Sequence, residues 1–115
     1  MRDGATLTTG VLDDGTPVVS ASGELDMRVA PRLAKRIARV ARPGCGGVVL
    51  DLNAATFVDS TILGVIVGEA RRLEHRGGAL VVVTRRPNLR RVLDLTGLVR
   101  VFPVVDTRED ALAAL

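Results

Sequence analysis

The stretch "GVVLDLNAATFVDSTILGVIVGEARRLEHRGGALVVVT", residues 47–84, predicts a strand, a helix and a second strand. Its two ends, residues 47–53 and 79–84, are short, rich in Val and almost continuously apolar, which is typical of strands in a parallel sheet. The segment between them has apolar residues at helical spacing and ends at a Gly pair. The predicted apolar stripe is Leu63, Ile66, Val67, Ala70 and Leu73. A right-handed βαβ crossover is the default topology for such a unit.

The chain before this unit predicts a β-hairpin and a helix. Residues 5–12 and 18–25 have extended character, and the turn cluster "DDGTP" lies between them. After Asp26 the apolar spacing becomes helical, and Pro31 is tolerated only in a first turn, so the helix starts between Met27 and Ala30. The predicted inward stripe of this helix is Val29, Leu33, Ile37 and Val40.

The chain after the central unit predicts a helix, a last strand and a terminal helix. Pro87 can open the first of these helices and Gly97 can end it. Its predicted inward residues are Leu89, Val92 and Leu93. The segment "VRVFPVV", residues 99–105, has the composition of a strand. Thr107 is a suitable cap for the terminal helix, since acidic residues follow it in the first turn.

Length and composition favour a single globular domain spanning residues 1–115. The chain is 47% hydrophobic and 25% charged, with two Phe and no Tyr or Trp, so the core is expected to be aliphatic. The polar N-terminus and short apolar runs indicate no secretion signal and no membrane association. We therefore expect a cytoplasmic protein.

Residues for catalysis or metal binding are scarce. Cys45 and His75 are the only residues of their types, so the sequence offers no intramolecular disulfide and no metal site. If His75 lies on the helix that starts at Ser60, the two are about 20 Å apart at 1.5 Å per residue, which excludes a hydrolase triad. The sequence "GCGG" lacks the Lys and hydroxyl residue of a phosphate-binding loop. We expect no catalytic residues and no cofactor, and therefore not an enzyme.

The first helix is strongly basic. Residues 28–42 contain no acid and six cations, namely Arg28, Arg32, Lys35, Arg36, Arg39 and Arg42. Because this segment has no aromatic residue to stack on bases and no helix-turn-helix pattern, we interpret it as a solvated face and expect no nucleic-acid binding.

The triplet Asp59-Ser60-Thr61 stands where the central helix is expected to begin. Hydroxyl residues in this position can cap a helix, act as nucleophiles or accept a modification, and the residues alone leave these roles open. Gly64 and Gly68 follow one turn apart and suggest close packing of the helix backbone against a neighbouring element.

Two long segments resemble a known family. These are "SGELDMRVAPRL" and "VVLDLNAATFVDSTILGVIVGEARRLEHRGGALVVV", followed by "VLDLTGLVRVF". They are similar to the STAS domain of bacterial anti-sigma factor antagonists over about residues 5–113. The resemblance implies an α/β fold, a single STAS domain with a mixed, mainly parallel sheet of about five strands and about four helices mainly on one face.

The resemblance also implies a modification site and a partner. In the family, the Ser of an Asp-Ser-Ser or Asp-Ser-Thr turn is phosphorylated by an anti-sigma factor that is also an ATP-dependent serine kinase. By position this residue is Ser60, with Thr61 as the second candidate. Asp26, in "GELD", matches a position near the partner surface. The chain departs from the family at Ile62, where Gly is usual.

These residues predict a partner-binding surface made of Asp26, Asp59, Ser60, Thr61, Ile62 and Val65. In this interpretation Ser60 caps the helix, and Ile62 and Val65 lie off the core stripe as exposed apolar contacts. Phosphorylation would add a strong negative charge beside Asp59 and weaken binding of the partner.

The leading hypothesis is an anti-sigma factor antagonist that binds an anti-sigma factor kinase, releases a sigma factor and is switched off by phosphorylation of Ser60. A phosphatase is a further candidate partner, and the chain is expected to be a monomer or weak dimer. The alternative is a non-phosphorylated STAS subunit of a transporter-associated or lipid-transport complex, which Ile62 favours. An enzyme is the third and weakest hypothesis.

Overall fold

The computed structural model describes residues 4–115, so the first three residues of the predicted polar N-terminus lie outside it. Within this range the chain forms six strands and four α-helices. In chain order they are β1 Ala5–Val11, β2 Pro17–Leu25, α1 Ala30–Val40, β3 Val48–Asp51, β4 Ala55–Val58, α2 Ser60–His75, β5 Leu80–Val83, α3 Pro87–Leu95, β6 Val104–Val105 and α4 Arg108–Ala114.

The strands form one mixed sheet in the order β1-β2-β3-β5-β6. The β1–β2 hairpin is antiparallel, and the other pairs are parallel. β4 pairs with the end of β2 beyond β3, so β2 contacts β3 in its first half and β4 in its second half. The mainly parallel α/β fold that the sequence predicted is therefore confirmed.

The two faces of the sheet are covered unequally. Helices α1, α2 and α3 share the larger core cluster with one set of strand residues, including Val19, Leu50 and Val82. On the opposite face, Ala111 of α4 packs with the alternate strand residues, including Val49 and Val81. Burial on both faces explains why the central strands are almost continuously apolar in sequence.

Most predicted elements are present. The hairpin and the helix after Asp26 are confirmed, and Val29, Leu33 and Ile37 of the predicted α1 stripe are fully buried. The strand-helix-strand unit is also confirmed, with β3 and β5 as direct parallel neighbours. Three helices lie on one face of the sheet and one on the other. This confirms the prediction that the helices lie mainly on one face.

Two predicted details are wrong, and one strand was missed. The segment 99–105 is mostly not a strand, because a 3-10 turn occupies Leu98–Arg100 and β6 has only two residues. Val92, predicted to face inward, is 40% exposed, whereas Leu89 and Leu93 of the same helix are buried. The strand β4 was not predicted, since its four residues follow β3 closely and read as part of a loop.

The terminal helix is attached to the sheet by polar contacts. As predicted, the hydroxyl of Thr107 caps α4 by accepting the N–H of Asp110 at 3.0 Å. Arg108 donates from Nε to Asp51 Oδ2 and from Nη2 to Ser20 Oγ, each at 2.9 Å. This helix therefore covers its sheet face through both Ala111 and a charged contact.

The register of the β2–β4 pair shifts between Gly23 and Glu24, which pair with Ala55 and Phe57, so Thr56 is the extra residue of a bulge in β4. Gly23 has a φ of +82°, and an added Cβ would collide with the backbone carbonyl of Gly4. Only glycine tolerates this combination of dihedral angle and close backbone approach.

Substitution of Gly23 by Ala is expected to lower the free energy of unfolding by about 1–3 kcal/mol, because it adds both strain and a clash. Urea unfolding followed by circular dichroism measures the difference. Gly10→Ala in β1 is the matched control, since its added Cβ meets no atom within 4 Å. Equal stability of the two variants would contradict the role of Gly23.

Candidate functional site

The ends of β2 and β4 bring Asp26 and Asp59 to the same edge of the sheet. Leu25 and Val58 are register partners in the parallel pair, and each acidic residue directly follows its strand. The N–H of Asp59 extends the pairing by donating to the carbonyl of Leu25 at 3.1 Å. Carboxyl ends of parallel strands are the usual location of binding sites in α/β folds.

Asp59 caps helix α2. Its Oδ1 accepts the N–H of Ile62 at 3.0 Å, and its carbonyl accepts the N–H of Leu63 at 3.1 Å. The prediction that Ser60 is the cap is therefore wrong, because the capping position falls one residue earlier. Ser60 is the first residue of the helix.

The hydroxyls of Ser60 and Thr61 are exposed and have no hydrogen-bond partner among residues 4–115. Their backbone N–H groups are also without a partner in this range, as expected for the first turn of a helix. The hydroxyl pair thus stands on the surface, beside free amides at the positive end of the helix dipole.

Ile62 is part of the hydrophobic core, with 0% of its surface exposed. Its predicted exposure as a partner contact is wrong. Ile66, Ala70 and Leu73 continue its side of the helix. Leu63 and Val67 of the predicted stripe are only half-buried, as is Val65. The other three residues of the stripe are buried as predicted.

Asp26 is paired with Arg28 across one intervening residue. Arg28 donates to Asp26 from Nη2 at 2.8 Å and from Nε at 3.2 Å, and its backbone N–H donates to Asp26 Oδ1 at 2.9 Å. The side-chain hydrogen bond from Arg28 holds the pKa of Asp26 below the ordinary value of 3.8. The pairing therefore stabilises the fold above that pH and is lost as the pH falls through the lowered pKa.

The exposed side of α2 is nearly free of side chains close to Ser60. Gly64 and Gly68 lie on it, and an added Cβ at either would meet no atom within 4 Å. The predicted close packing of these glycines within the chain is therefore wrong. We call Ser60, Thr61, Gly64 and Gly68 the α2 face.

Two large apolar side chains are exposed near the same edge of the sheet. Met27, which follows Asp26, is 66% exposed, and Phe57, two residues before Asp59, is 53% exposed. Phe57 also lines a shallow cavity of about 340 Å³ between β4 and α3. Sequence reasoning missed both residues, because alternation along β4 would place Phe57 on the same side as the buried Ala55.

No group of His, Cys, Asp and Glu residues in the described range could hold a metal ion. His75 lies at the far end of the 16-residue helix from Ser60, as the sequence predicted. Of the helices described, none is both long and apolar enough to span a bilayer.

The edge of the sheet where β2 and β4 end therefore presents an exposed hydroxyl pair beside acidic and apolar side chains. Comparison with known proteins identifies the family. The sequence profile of the STAS domain matches residues 11–111. The chain therefore belongs to the STAS domain family.

Relatives over nearly the full length have consistent names. The chain is 33% identical over 102 residues to an anti-sigma F factor antagonist of Paenibacillus polymyxa, covering 88% of this chain and 87% of the relative. It is 30% identical over 110 residues to the anti-sigma-F factor antagonist RsfB of Mycobacterium tuberculosis, covering 95% and 89%. The crystal structure of an anti-sigma factor antagonist from Mycobacterium paratuberculosis superposes with a TM-score of 0.86 at 38% identity, covering 99% and 96%.

Replacement of Asp59 by Ala is expected to cost about 1 kcal/mol of unfolding free energy, since the N–H of Ile62 loses its acceptor. Ser60→Ala is the adjacent control and should change stability by less than about 0.5 kcal/mol, because its hydroxyl has no partner to lose. Urea denaturation of both variants decides between the two residues as the cap. A larger loss for Ser60→Ala would contradict the assignment.

Proposed function

We propose that this protein is an anti-sigma factor antagonist of the cytoplasm, which binds an anti-sigma factor and is switched off by phosphorylation of Ser60. The observation that carries the proposal is the exposed, unpartnered hydroxyl of Ser60 at the first position of α2. The names of the full-length relatives support the choice of partner.

In the unmodified protein, the partner would dock on the α2 face together with Met27 and Phe57. These two side chains offer apolar area, and the glycines allow a close approach of the partner to the helix backbone. Each glycine costs an exposed helix roughly 0.5–1 kcal/mol relative to Ala, and no contact within the described chain compensates for it. A requirement for close docking accounts for their presence.

The fold is expected to tolerate a phosphate on Ser60. A phosphoryl group carries a charge of about −1.5 to −2 at neutral pH, and the free amides of the first turn and the helix dipole favour a negative charge there. The hydroxyl of Ser60 takes part in no hydrogen bond that the modification would break. Phosphorylation would therefore act on binding rather than on stability.

The bound partner would not tolerate the same charge. Its surface must match a neutral hydroxyl beside the carboxylate of Asp59, and a phosphate there introduces repulsion and a desolvation cost. The negative charge of Asp26 adds little to that of Asp59, because Arg28 pairs with Asp26. If the cost is about 3 kcal/mol, affinity falls by more than about a hundredfold.

Ile62 gives no support to a different partner. The hypothesis of a non-phosphorylated STAS subunit rested on this residue as a surface feature unlike that of other family members. Since Ile62 lies in the core, its replacement of Gly fills the interior and leaves the docking surface unchanged.

The Ser60→Asp variant is expected to bind the cognate anti-sigma factor at least about a hundredfold more weakly than the unmodified protein. Isothermal titration against each anti-sigma factor kinase of the source genome measures this. Ser60→Ala is the control and should retain binding while abolishing phosphate incorporation with ATP, as read by mass spectrometry. Thr61→Ala should still be phosphorylated.

Two results would overturn the switch. Unchanged affinity of Ser60→Asp would show that charge at this position does not control binding. A chain that binds its partner but takes up no phosphate on Ser60 or Thr61 would instead belong to the non-phosphorylated class.

A bulky side chain on the α2 face is expected to block docking without harming the fold. Gly64→Leu should leave the unfolding free energy equal or higher, because Leu favours helix and its Cβ meets no atom within 4 Å, but it should weaken partner binding at least about tenfold. Ala38→Leu, at an exposed position of α1, is the matched control and should bind normally. Normal binding by Gly64→Leu would place the interface elsewhere.

A further inference from the structure

A cavity lies at the edge of the sheet where β2 begins, whereas Ser60 follows the edge where β2 and β4 end. It has a volume of about 650 Å³ and is formed between the C-terminal half of α1, the turn end of the β1–β2 hairpin and the loop that follows α1. This volume is within the range of small-molecule sites in proteins. The lining residues are Thr9, Gly10, Val11, Gly15, Pro17, Arg36, Arg39, Val40, Arg42, Pro43, Gly44 and Cys45. We call it the arginine cavity.

Three arginines line the arginine cavity, and no acidic residue does so among those described. Arg36 is held in place by donating from Nη1 to the hydroxyl of Thr9 at 3.0 Å. The guanidinium groups of Arg39 and Arg42 form no ion pair or hydrogen bond within residues 4–115. The cavity thus concentrates positive charge around one positioned donor and two available ones.

The nearest acids along the chain do not neutralise this charge within the cavity. Asp13 and Asp14 precede Gly15 in the hairpin turn, and neither lines the cavity. Asp14 accepts the N–H of Thr16 at 2.9 Å, and its hydrogen bonds with Thr16 lower its pKa. This carboxylate is therefore engaged in the turn itself.

Helix electrostatics account for only part of the arrangement. Arg39 lies in the last turn of α1, where a cation interacts favourably with the helix dipole. That interaction needs neither a cavity nor the two further guanidinium groups at its walls. The helix dipole also does not explain why Val11, an apolar residue that lines the cavity, is 71% exposed.

We propose that the arginine cavity binds a small anion that bears phosphoryl groups. Guanidinium groups recognise phosphate oxygens through paired hydrogen bonds. The positive charge of three such groups is similar in size to the negative charge of an ion with two phosphoryl groups. Binding would relieve the mutual repulsion of the arginines. The ligand is either a free polyphosphate ion or a phosphorylated organic molecule whose body contacts Val11, Pro17 and Pro43.

Titration calorimetry of the purified chain with inorganic phosphate, pyrophosphate and ADP tests the site. Pyrophosphate should bind more tightly than inorganic phosphate, because it can engage more guanidinium groups. If ADP binds more tightly than pyrophosphate, the ligand has an organic body that contacts the apolar wall. If the affinity for ADP is equal or lower, the ligand is a free polyanion. Both of these results support the cavity as the site.

The variant Arg39→Gln/Arg42→Gln should weaken pyrophosphate binding at least about tenfold, since it removes two charge-assisted contacts. Lys35→Gln is the matched control, because it removes one exposed positive charge from the same helix outside the cavity, and it should bind as the unmodified protein does. If the double variant does not fold, Arg42→Gln alone, in the loop after α1, replaces it.

Amide chemical shifts provide a second measurement that locates the ligand. Pyrophosphate should move the amide signals of Gly10, Val11 and Gly44 and leave those of Ser60 and Gly64 unchanged. The proposal is overturned if no probe binds saturably up to about 10 mM, if Lys35→Gln weakens binding as much as the double variant, or if the shifts cluster at the α2 face instead. None of these readouts depends on the anti-sigma factor, so they stand apart from the proposed function.

Discussion

The hydrogen bonds of Asp59 connect three elements at the functional end of the molecule. Its amide continues the parallel pairing with β2 through the carbonyl of Leu25, its carboxylate caps α2 through Ile62, and its carbonyl begins the helix ladder at Leu63. The position of Ser60 on the surface follows from these contacts, since the residue after an N-cap must enter the first turn. The register shift at Gly23 lies within the same β2–β4 pair.

Tertiary packing determines which side of α2 enters the core. Residues 62–67 are apolar except for one glycine, so several helical stripes fit this segment equally well in sequence. Packing on the sheet selects the stripe containing Ile62, Ile66 and Leu73 and leaves Gly64 and Gly68 on the outer side. Glu69 is carried into the buried side as well, where Arg72 lies 3.8 Å from its carboxylate.

Helix α1 runs between the two charged regions of the molecule. Its N-terminal end adjoins the Asp26–Arg28 pair, and its C-terminal half contributes Arg36 and Arg39 to the arginine cavity. Eleven residues of helix span about 16 Å, so the phosphorylation candidate and the cavity are separate sites joined by one rigid element. Binding at one end of α1 can therefore be measured without direct contact between that ligand and the other end.

The sequence by itself determined the fold class, the order of the helices and most strands, and the position of the Asp-Ser-Thr triplet at the start of α2. Local signals carry this information, namely the apolar period, the glycines and prolines that end elements, and the motif around Asp59. Only the tertiary structure decided that Asp59 rather than Ser60 is the cap, that Ile62 is buried, and that Met27 and Phe57 are exposed. These features depend on which side of a helix packs against the sheet and on the pairing of β4 with β2. Neighbouring residues in the chain specify neither of these.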